Sequence, residues 1–192
     1  METNFTKQLV EKVPHLLVLL SLVAYSWLKD NYSAQAGLMF LIGMLIVFFF
    51  LEYLRLERNI EMPFLSQFIR PKEHNRFYGA VYFLIATVIC LAAFDFTIAL
   101  AAVMMAAFGD IAAAFFGRKY GKTLLFRNKT LQGAMAMLAV NLAVGFIMLS
   151  NVYIIIAMAI AATAIETLVD ELDDNLWVPI VAGFIGELLF LM

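Results

Sequence analysis

Cysteine is nearly absent from this chain, since Cys90 is the only one among 192 residues. No internal disulfide can form, and a metal site built from several thiolates is excluded. Histidine is almost as scarce: His15 and His74 are the only two, and their spacing does not match that of a zinc site. Cys90 lies in an apolar run, where we interpret it as a small packing residue.

Charge is also scarce, and long hydrophobic runs take its place. Charged residues make up 15% of the chain and hydrophobic residues 64%, with a mean hydropathy of +0.90. Soluble domains are only about half apolar, so this composition predicts that lipid surrounds most of the chain. The first apolar run, 13–28, has no small-residue cleavage site after it and is interpreted as a membrane span rather than a signal peptide.

Apolar segments of a length that can cross a bilayer recur seven times along the chain. About 17 to 25 apolar residues in a helix span the hydrocarbon core. Two of the connecting turns, 94–97 and 150–151, are very short and must be tight hairpins. We therefore expect an all-α integral membrane protein, a bundle of about seven transmembrane helices at 13–29, 34–54, 78–94, 97–116, 131–149, 152–168 and 175–192.

The basic residues predict the orientation of this bundle. With seven spans, the N-terminus and the segments 55–77, 117–130 and 169–174 share one side, which carries every Lys and Arg except Lys29. Cytoplasmic loops are enriched in Lys and Arg, so we expect a cytoplasmic N-terminus and an outer C-terminus. Within the 55–77 loop, apolar residues at helical spacing predict a short interfacial helix beginning near Pro63.

The two halves of the chain differ in composition. We expect residues 1–192 to form a single polytopic membrane domain, with helices one to three in 1–96 and the catalytic helices four to seven in 97–192. Spans one to three are rich in Leu, Phe and Tyr, whereas spans four to six are rich in Ala and Gly. Small residues let helices approach closely in a membrane, which predicts a tight core there. The alternative is that alanine serves only as an apolar helix former.

Asp110 lies inside the fourth span, about two turns from its predicted cytoplasmic end. A charged group in a span costs a few kcal/mol, roughly 2.5 to 3.5 on insertion scales, so it needs a partner or a function. One alternative is an ion pair with Arg118 or Lys119. We favour a functional role, because Gly109 beside it leaves space for a ligand and the following loop suits phosphates.

That loop carries five cations and no acid between Gly117 and Gly133: Arg118, Lys119, Lys122, Arg127 and Lys129. It suits either anionic lipid head groups or the phosphates of a nucleotide. Gly121-Lys122-Thr123 has the ending of a P-loop, but Gly117 lies one residue too close and no strand precedes it, so we reject a P-loop. Lys129-Thr130 is the better phosphate site, because Thr130 can cap the fifth span and Lys129 supplies charge.

A cluster of acids follows the sixth span. Glu166, Asp170 and Asp173 are spaced i, i+4, i+7 and would share one face if the helix persists that far. Like charges repel there unless a divalent cation or facing Lys and Arg residues offset them. Asp174-Asn175, at the start of the last span, can ligate Mg²⁺ or cap the helix. For Asp173 we favour an acidic helix cap, whereas we favour a function for Glu166.

Taken together, these residues resemble the polyprenol kinase family, which comprises dolichol kinase, phytol kinase and the CTP-dependent diacylglycerol kinase. Gln132 departs from the pattern, because the family often has Glu there, and so does Glu11, where it tends to have Arg. The resemblance covers nearly the whole chain in the same order, through Lys12, His15, Glu52, Arg55-Leu56, Arg70-Pro-Lys-Glu73, Gly79, Gly109-Asp110, Ala113, Gly117-Arg118, Gly121, Lys129-Thr130, Gly133, Ala162-Thr163, Glu166, Asp173-Asp174-Asn175-Leu176 and Pro179.

This resemblance implies transfer of the γ-phosphoryl group of CTP, with Mg²⁺ or another divalent cation, to the hydroxyl of a polyprenol or dolichol-type lipid alcohol. It implies catalytic roles for Asp110, Glu166 and Lys129, and further contacts from Arg70, Lys72 and Glu73. The implied nucleotide-binding and phosphate-binding residues are Lys12, His15, Gly117, Arg118, Lys119, Gly121, Lys122, Lys129, Thr130 and Gly133. The implied metal ligands are Asp110, Glu166, Asp170, Asp173, Asp174 and Asn175.

The implied protein is a multi-pass membrane enzyme with its active site on the cytoplasmic side, in the cell membrane of a prokaryote or the endoplasmic reticulum of a eukaryote. Its expected partners are CTP, a long-chain lipid alcohol and the bilayer; we expect no nucleic acid and leave a homo-oligomer open. A CDP-lipid synthase, which uses CTP but releases pyrophosphate, is the alternative enzyme. A small transporter is less favoured, because the charges gather at one interface. The acceptor alcohol and the general base are not identified.

Overall fold

The computed structural model describes residues 18–58, 76–126, 129–169 and 173–192. These parts of the chain contain seven helices and one small antiparallel pair of strands. The helices are α1 (18–31), α2 (Ala34–Leu56), α3 (Gly79–Ala93), α4 (Phe96–Tyr120), α5 (Leu131–Met148), α6 (Val152–Leu168) and α7 (Asp174–Phe190). The strands, β1 (Leu124–Phe126) and β2 (Lys129–Thr130), form a short ribbon between α4 and α5. The predicted all-α class is confirmed, apart from this ribbon.

The second to seventh predicted spans each coincide with a helix to within a few residues, and α1 covers the described part of the first, 13–29, whose beginning lies outside the described residues. Three of the helices, α2, α4 and α5, are long and apolar enough to cross a membrane, and α3 and α6 are shorter apolar helices. These lengths and compositions support membrane association, while the crossing by all seven helices stays a prediction. The interfacial helix predicted near Pro63 falls outside the described residues.

Both of the expected tight turns are present, and each is closed by a side-chain cap. Asp95 accepts a hydrogen bond from the backbone N–H of Thr97 at 2.8 Å and begins α4. Asn151 accepts one from the N–H of Tyr153 at 2.9 Å and begins α6. These short polar residues satisfy N–H groups that the first helical turn leaves without partners.

Glu187 also stabilises the first of these turns. It lies near the end of α7, and its Oε2 accepts the backbone N–H of Asp95 at 2.7 Å. The carboxylate therefore joins the last turn of α7 to the connection between α3 and α4, across 92 residues of chain.

The chain divides into two compact units, residues 1–88 and 89–192. In the first unit a buried ion pair holds the end of α2 near the start of α3. Arg55 donates to both carboxylate oxygens of Glu52, at 3.0 and 2.6 Å, and to the carbonyl of Arg76 at 2.6 Å. Glu52 also accepts the backbone N–H of Tyr78 at 3.1 Å. This network fixes where the chain leaves α2 and where it returns at α3.

In the second unit α4 is the central helix and packs against α5, α6 and α7. Its buried positions are mostly small: Ala99, Ala101, Ala102, Ala106, Ala107 and Gly109 are all below a tenth exposed. On α5, a Cβ at Gly145 would lie 2.6 Å from Ile155 of α6. On α7, a Cβ at Gly186 would lie 2.5 Å from Met158 of α6. The small residues of α4 and the glycines named on α5 and α7 thus lie where helices meet, as a tight core predicts, whereas Ala139 and Ala143 of α5 are exposed.

Candidate active site

The site is organised by a close crossing of α4 and α5. A Cβ on Gly117 would lie 3.5 Å from the Cα of Gly133, and a Cβ on Gly133 would lie 2.9 Å from the carbonyl oxygen of Ala113. Backbone therefore lies directly on backbone, which only glycine permits at this separation. Gly117 and Gly133, which the resemblance placed at the nucleotide, hold these two helices together.

Gly109 continues the same contact surface deeper in the helix pair. A Cβ there would lie 2.5 Å from Oδ1 of Asn141 and 3.0 Å from Cγ of Met137, both on α5. The sequence analysis expected Gly109 to leave space for a ligand. In the structure that space is filled by Asn141 and Met137, so Gly109 is a packing residue.

The β ribbon sets the position of Lys129 directly before α5. Thr130 is the N-cap of α5 and accepts the backbone N–H of Gly133 at 3.2 Å, as predicted. Gly121 lies against Thr130 and against the carbonyl of Gly117, so the chain closes tightly over the end of α4. Phe126 pairs with Lys129 in the ribbon. Lys129 is therefore fixed at the N-terminus of a capped helix.

Gln132 stabilises this closure from the first turn of α5. Its Oε1 accepts the backbone N–H groups of Lys122 and Thr123, at 3.1 and 3.4 Å. In return, Leu131 donates its N–H to the carbonyl of Thr123 at 2.9 Å. The residue that departs from the resembled family's Glu is thus a hydrogen-bond acceptor for the cationic loop, a role that needs an oxygen but no charge.

Three of the predicted site residues, from three separate segments, meet in one cluster. The ammonium group of Lys129 forms an ion pair with Glu166 of α6 and lies 3.8 Å from Oδ2 of Asp174, at the start of α7. The side chains of Glu166 and Asp174 are 5% and 17% exposed, against 34% for Lys129. A carboxylate buried this deeply requires a cation beside it. We call Lys129, Glu166 and Asp174 the Lys129 cluster.

The shared helical face expected for Glu166, Asp170 and Asp173 is not formed. α6 ends at Leu168, followed by extended backbone, and Asp170 lies outside the described residues. Asp173 is instead the N-cap of α7, accepting the backbone N–H of Asn175 at 3.1 Å and its side-chain amide at 2.8 Å. Capping the new helix satisfies donors that a continued α6 would not have exposed.

A second set of contacts joins the helix segments next to Asp110 and Glu166. Asn141 of α5 is completely buried and donates to Oγ1 of Thr163 on α6 at 3.2 Å, while Gly109 of α4 lies against its other side. We call Gly109, Asn141 and Thr163 the polar clasp. Asp110 follows Gly109, and Glu166 lies one turn beyond Thr163. The clasp therefore joins the segments of α4 and α6 that carry the two acids.

Asn141 was missed by the sequence analysis, although the chain carries an indication of it. It is the one strongly polar side chain within 131–148 besides Gln132, which lies at the helix start. An amide inside an apolar helix is stabilised by a hydrogen bond to another helix, and such a residue marks the packed face. Composition alone could therefore have predicted that this face of α5 points into the bundle.

The remaining predicted cations are placed differently from Lys129. The ammonium of Lys119 lies over the rings of Phe115 and Tyr120, 5.6 and 5.3 Å from their centroids. Arg118 and Lys122 are exposed at the end of α4 and in the loop after it. Other residues of the predicted site fall outside the described part of the chain, namely Lys12, His15, Arg70, Lys72, Glu73 and Asp170.

The predicted metal site can be tested only on the residues that are described. Among them, no three His, Cys, Asp or Glu side chains lie close enough together to hold a metal ion. Mg²⁺ bound with a nucleotide normally takes one or two protein carboxylates, with phosphate oxygens and water completing its shell. Glu166 and Asp174 supply oxygen ligands of that type and number, so the cluster fits a nucleotide-borne Mg²⁺ rather than a metal held by the protein alone.

No family model, curated protein or solved structure matches this chain. Its function must therefore be inferred from the site itself.

Proposed function

We propose that this protein is a membrane-embedded lipid kinase that transfers the γ-phosphoryl group of CTP to the hydroxyl of a polyprenol or dolichol-type alcohol. The observation that carries the proposal is the Lys129 cluster, in which a lysine at a capped helix N-terminus faces two shielded carboxylates. The resemblance to the polyprenol kinases supplies the identity of the donor and the acceptor class.

Phosphate binding is the first step that the cluster supports. A helix N-terminus carries backbone N–H groups and a partial positive charge, and both favour a phosphate oxygen. Lys129 adds a full charge beside Thr130, at the first turn of α5. A bound polyphosphate competes with Glu166 and Asp174 for the Lys129 ammonium, and thereby loosens the ion pair that is present in the structure.

The carboxylate released in this way is suited to accept a proton. Glu166 is buried, and without its ammonium partner its charged form loses its main stabilisation. It then becomes a better base for the hydroxyl proton of the acceptor. Asp110, which follows Gly109 of the polar clasp, is the second candidate base. Phosphoryl transfer otherwise asks mainly for positioning and charge neutralisation, which Lys129 and Lys122 provide.

A divalent cation belongs to this proposal as a companion of the nucleotide. Its chemistry would be neutralisation of the charge on the β- and γ-phosphate oxygens. Asp174 would hold it, with Asp173 and Asn175 next to it at the start of α7. Glu166 and Asp110 are the further predicted ligands, and whichever of the two does not hold the cation is the proton acceptor.

Membrane placement explains how a lipid hydroxyl meets this cluster. We propose a multi-pass protein whose cytoplasmic side carries the 117–130 loop, with α4 and α5 crossing the bilayer. The cluster then lies at the end of these helices, at head-group depth, where the hydroxyl of a membrane alcohol also lies. The apolar tail remains in the bilayer and needs no polar recognition.

The experiment compares site variants with matched controls in the purified protein. Lys129→Ala and Asp110→Asn are expected to abolish incorporation of phosphate from γ-labelled CTP into a lipid alcohol. Lys29→Ala and Asp30→Asn make the same chemical changes near the end of α1 and should retain activity. Wild-type turnover in both site variants would contradict the assignment of the site.

Labelling the α-phosphate separates the kinase from the alternative enzyme. A kinase leaves the α-label in CDP, whereas a CDP-lipid synthase transfers it to lipid and releases pyrophosphate. Lipid that carries the α-label would replace our proposal with the cytidylyltransferase function at the same site.

A further inference from the structure

Exposed apolar and aromatic side chains lie on the last turns of α4 and on β1, the first strand of the ribbon that follows it. Leu124, Leu125 and Phe126 form all of β1 and are 69%, 49% and 41% exposed. Phe115, Phe116 and Tyr120 on the last turns of α4 are 38%, 42% and 49% exposed. We call these six residues, with Lys119, the interface patch.

The aromatic part of this patch is internally ordered around a cation. Phe116 stacks on Tyr120 at 5.7 Å and meets Phe115 edge-on at 5.2 Å. The ammonium of Lys119 lies over Phe115 and Tyr120. A cation above aromatic rings, with its apolar stem along them, is an arrangement typical of the boundary between lipid and water.

The length of α4 places this patch at such a boundary. Its 25 residues extend over about 37 Å, whereas the hydrocarbon core of a bilayer is about 30 Å thick. When α4 crosses the bilayer, about 7 Å of it extends beyond the hydrocarbon. The last turn, which carries Arg118 and Lys119, is the end suited to the head groups. The ribbon is fixed beside this turn, because Thr130 packs against Gly117 and Gly121.

The ribbon itself needs a surface to lie on. Strands of three and two residues are marginal when alone in water, and every side chain of β1 is exposed. Every charged residue in the segment 117–130 is Lys or Arg, so a surface that carries anionic phosphates complements its charge. The bilayer that α4 already crosses offers both the apolar layer and these phosphates.

We propose that the interface patch is a membrane anchor that binds anionic phospholipid, with β1 in the acyl boundary and Lys119 on a lipid phosphate. The inference rests on the proposal that α4 and α5 cross the membrane. It divides the loop's cations by function: Lys129 faces Glu166 and Asp174 and serves the nucleotide, whereas Lys119 serves the lipid. The anchor holds Lys129 at the depth of the acceptor hydroxyl.

The test measures depth with a single tryptophan. Trp27 and Trp177 are replaced by Phe, and Phe126→Trp or Phe108→Trp is introduced into the full chain, one copy per nanodisc. Phe108 lies in the middle of α4 and reports on membrane crossing alone. We expect phosphatidylcholine brominated near the head-group end of its acyl chains to quench Trp at 126, and deeper bromines to quench Trp at 108.

Each pattern of quenching has a separate meaning. Quenching at 108 without quenching at 126 overturns the anchor and leaves the membrane enzyme standing. No quenching at either position contradicts membrane crossing and the proposed function with it. If CTP protects Trp at 126 from quenching, the patch binds the nucleotide base. If Trp at 126 is protected only with two copies per disc, the patch contacts a second copy. Either result also overturns the proposal.

The lipid specificity is tested by replacing the quencher with brominated phosphatidylglycerol. With Lys119 present, quenching of Trp at 126 should favour phosphatidylglycerol over phosphatidylcholine by about two- to fivefold, as expected for one ammonium near anionic lipid. Lys119→Gln should abolish this preference, while Lys29→Gln should preserve it. Equal quenching by both lipids in the parent chain would show that Lys119 binds no anionic head group.

Discussion

Adding one methyl group at Gly109 tests whether the polar clasp positions the acids. In Gly109→Ala the new Cβ would lie 2.5 Å from Oδ1 of Asn141, whereas such carbon–oxygen contacts need about 3.3 Å. Met137, at 3.0 Å, is flexible and can turn aside. The amide of Asn141 is held by Thr163, so α4 and α5 must separate by about 0.8 Å, the difference between that contact distance and the gap present.

The expected magnitudes differ for stability and for activity. Overpacking costs about 1 to 3 kcal/mol, but alanine favours a helix over glycine by about 1 kcal/mol, so the net loss of stability should be about 0 to 2 kcal/mol. A displacement of this size between catalytic groups can lower a rate by up to about a hundredfold. Gly109→Ala should therefore lose phosphotransfer activity much more than it loses stability, because Asp110 moves relative to Glu166.

A second substitution, Asn141→Ala, removes the oxygen atom that the new methyl group of Gly109→Ala would contact. Asn141→Ala alone loses the bond to Thr163, worth about 0.6 kcal/mol between membrane helices, and also removes a buried Oδ1 that has no hydrogen-bond partner among the described residues. Combined with Gly109→Ala it relieves the clash. The double variant should therefore be more stable and more active than Gly109→Ala.

The assay is a double-mutant cycle, measured by thermal unfolding in detergent and by transfer from γ-labelled CTP. Coupling of about 1 kcal/mol or more is expected for residues in contact, whereas independent sites add to within about 0.5 kcal/mol. Additive effects would refute the clasp. Coupled stability without recovery of activity would return Gly109 to the ligand-space role that the sequence analysis gave it.

Variants at three further positions probe other contacts of the same unit. Gly121→Ala places a methyl group against the carbonyl of Gly117, so the ribbon should shift. The KM for CTP, measured by initial rates, should rise at least about tenfold, which corresponds to about 1.4 kcal/mol. An unchanged KM would contradict the role of the ribbon. Gln132→Glu keeps the acceptor for Lys122 and Thr123 and should resemble the wild type in a CTP titration, whereas Gln132→Leu should bind CTP more weakly. Glu187→Leu leaves the Asp95 N–H without its acceptor and should lower the free energy of unfolding by about 1 kcal/mol. Glu187→Gln keeps an acceptor oxygen and should retain most of the wild-type stability. Equal losses of stability in thermal unfolding would assign the effect to charge.

The helices were predictable because hydrophobic length and caps are local properties of the sequence. Predicted spans at 131–149 and 152–168 correspond to Leu131–Met148 and Val152–Leu168. The caps follow from residue type, since Thr130 and Asn151 precede apolar runs and have side chains that accept N–H groups. The predicted cap at Thr130 is confirmed by its bond to Gly133.

Contacts between segments were predictable only in part. Topology placed Lys129 and Glu166 at the same end of the bundle, and the structure brings them into an ion pair. The end of α6 at Leu168 could not be predicted from the local sequence, because helix-forming residues follow it. Asp173 favours the start of the next helix over continuation of α6, since its side chain caps that helix. The occupied space beside Gly109 likewise depends on Asn141, which is 32 residues away in the chain.

The most direct measurement of the central claim follows the γ-phosphate of CTP. The purified protein in nanodiscs is incubated with Mg²⁺, γ-labelled CTP and a panel of polyprenols, dolichol, geranylgeraniol-like alcohols and diacylglycerol. We predict a labelled lipid monophosphate from at least one alcohol with the wild type, and none with Lys129→Ala. Absence of labelled lipid from every alcohol, or equal labelling by the Lys129→Ala variant, would contradict a kinase built on the Lys129 cluster.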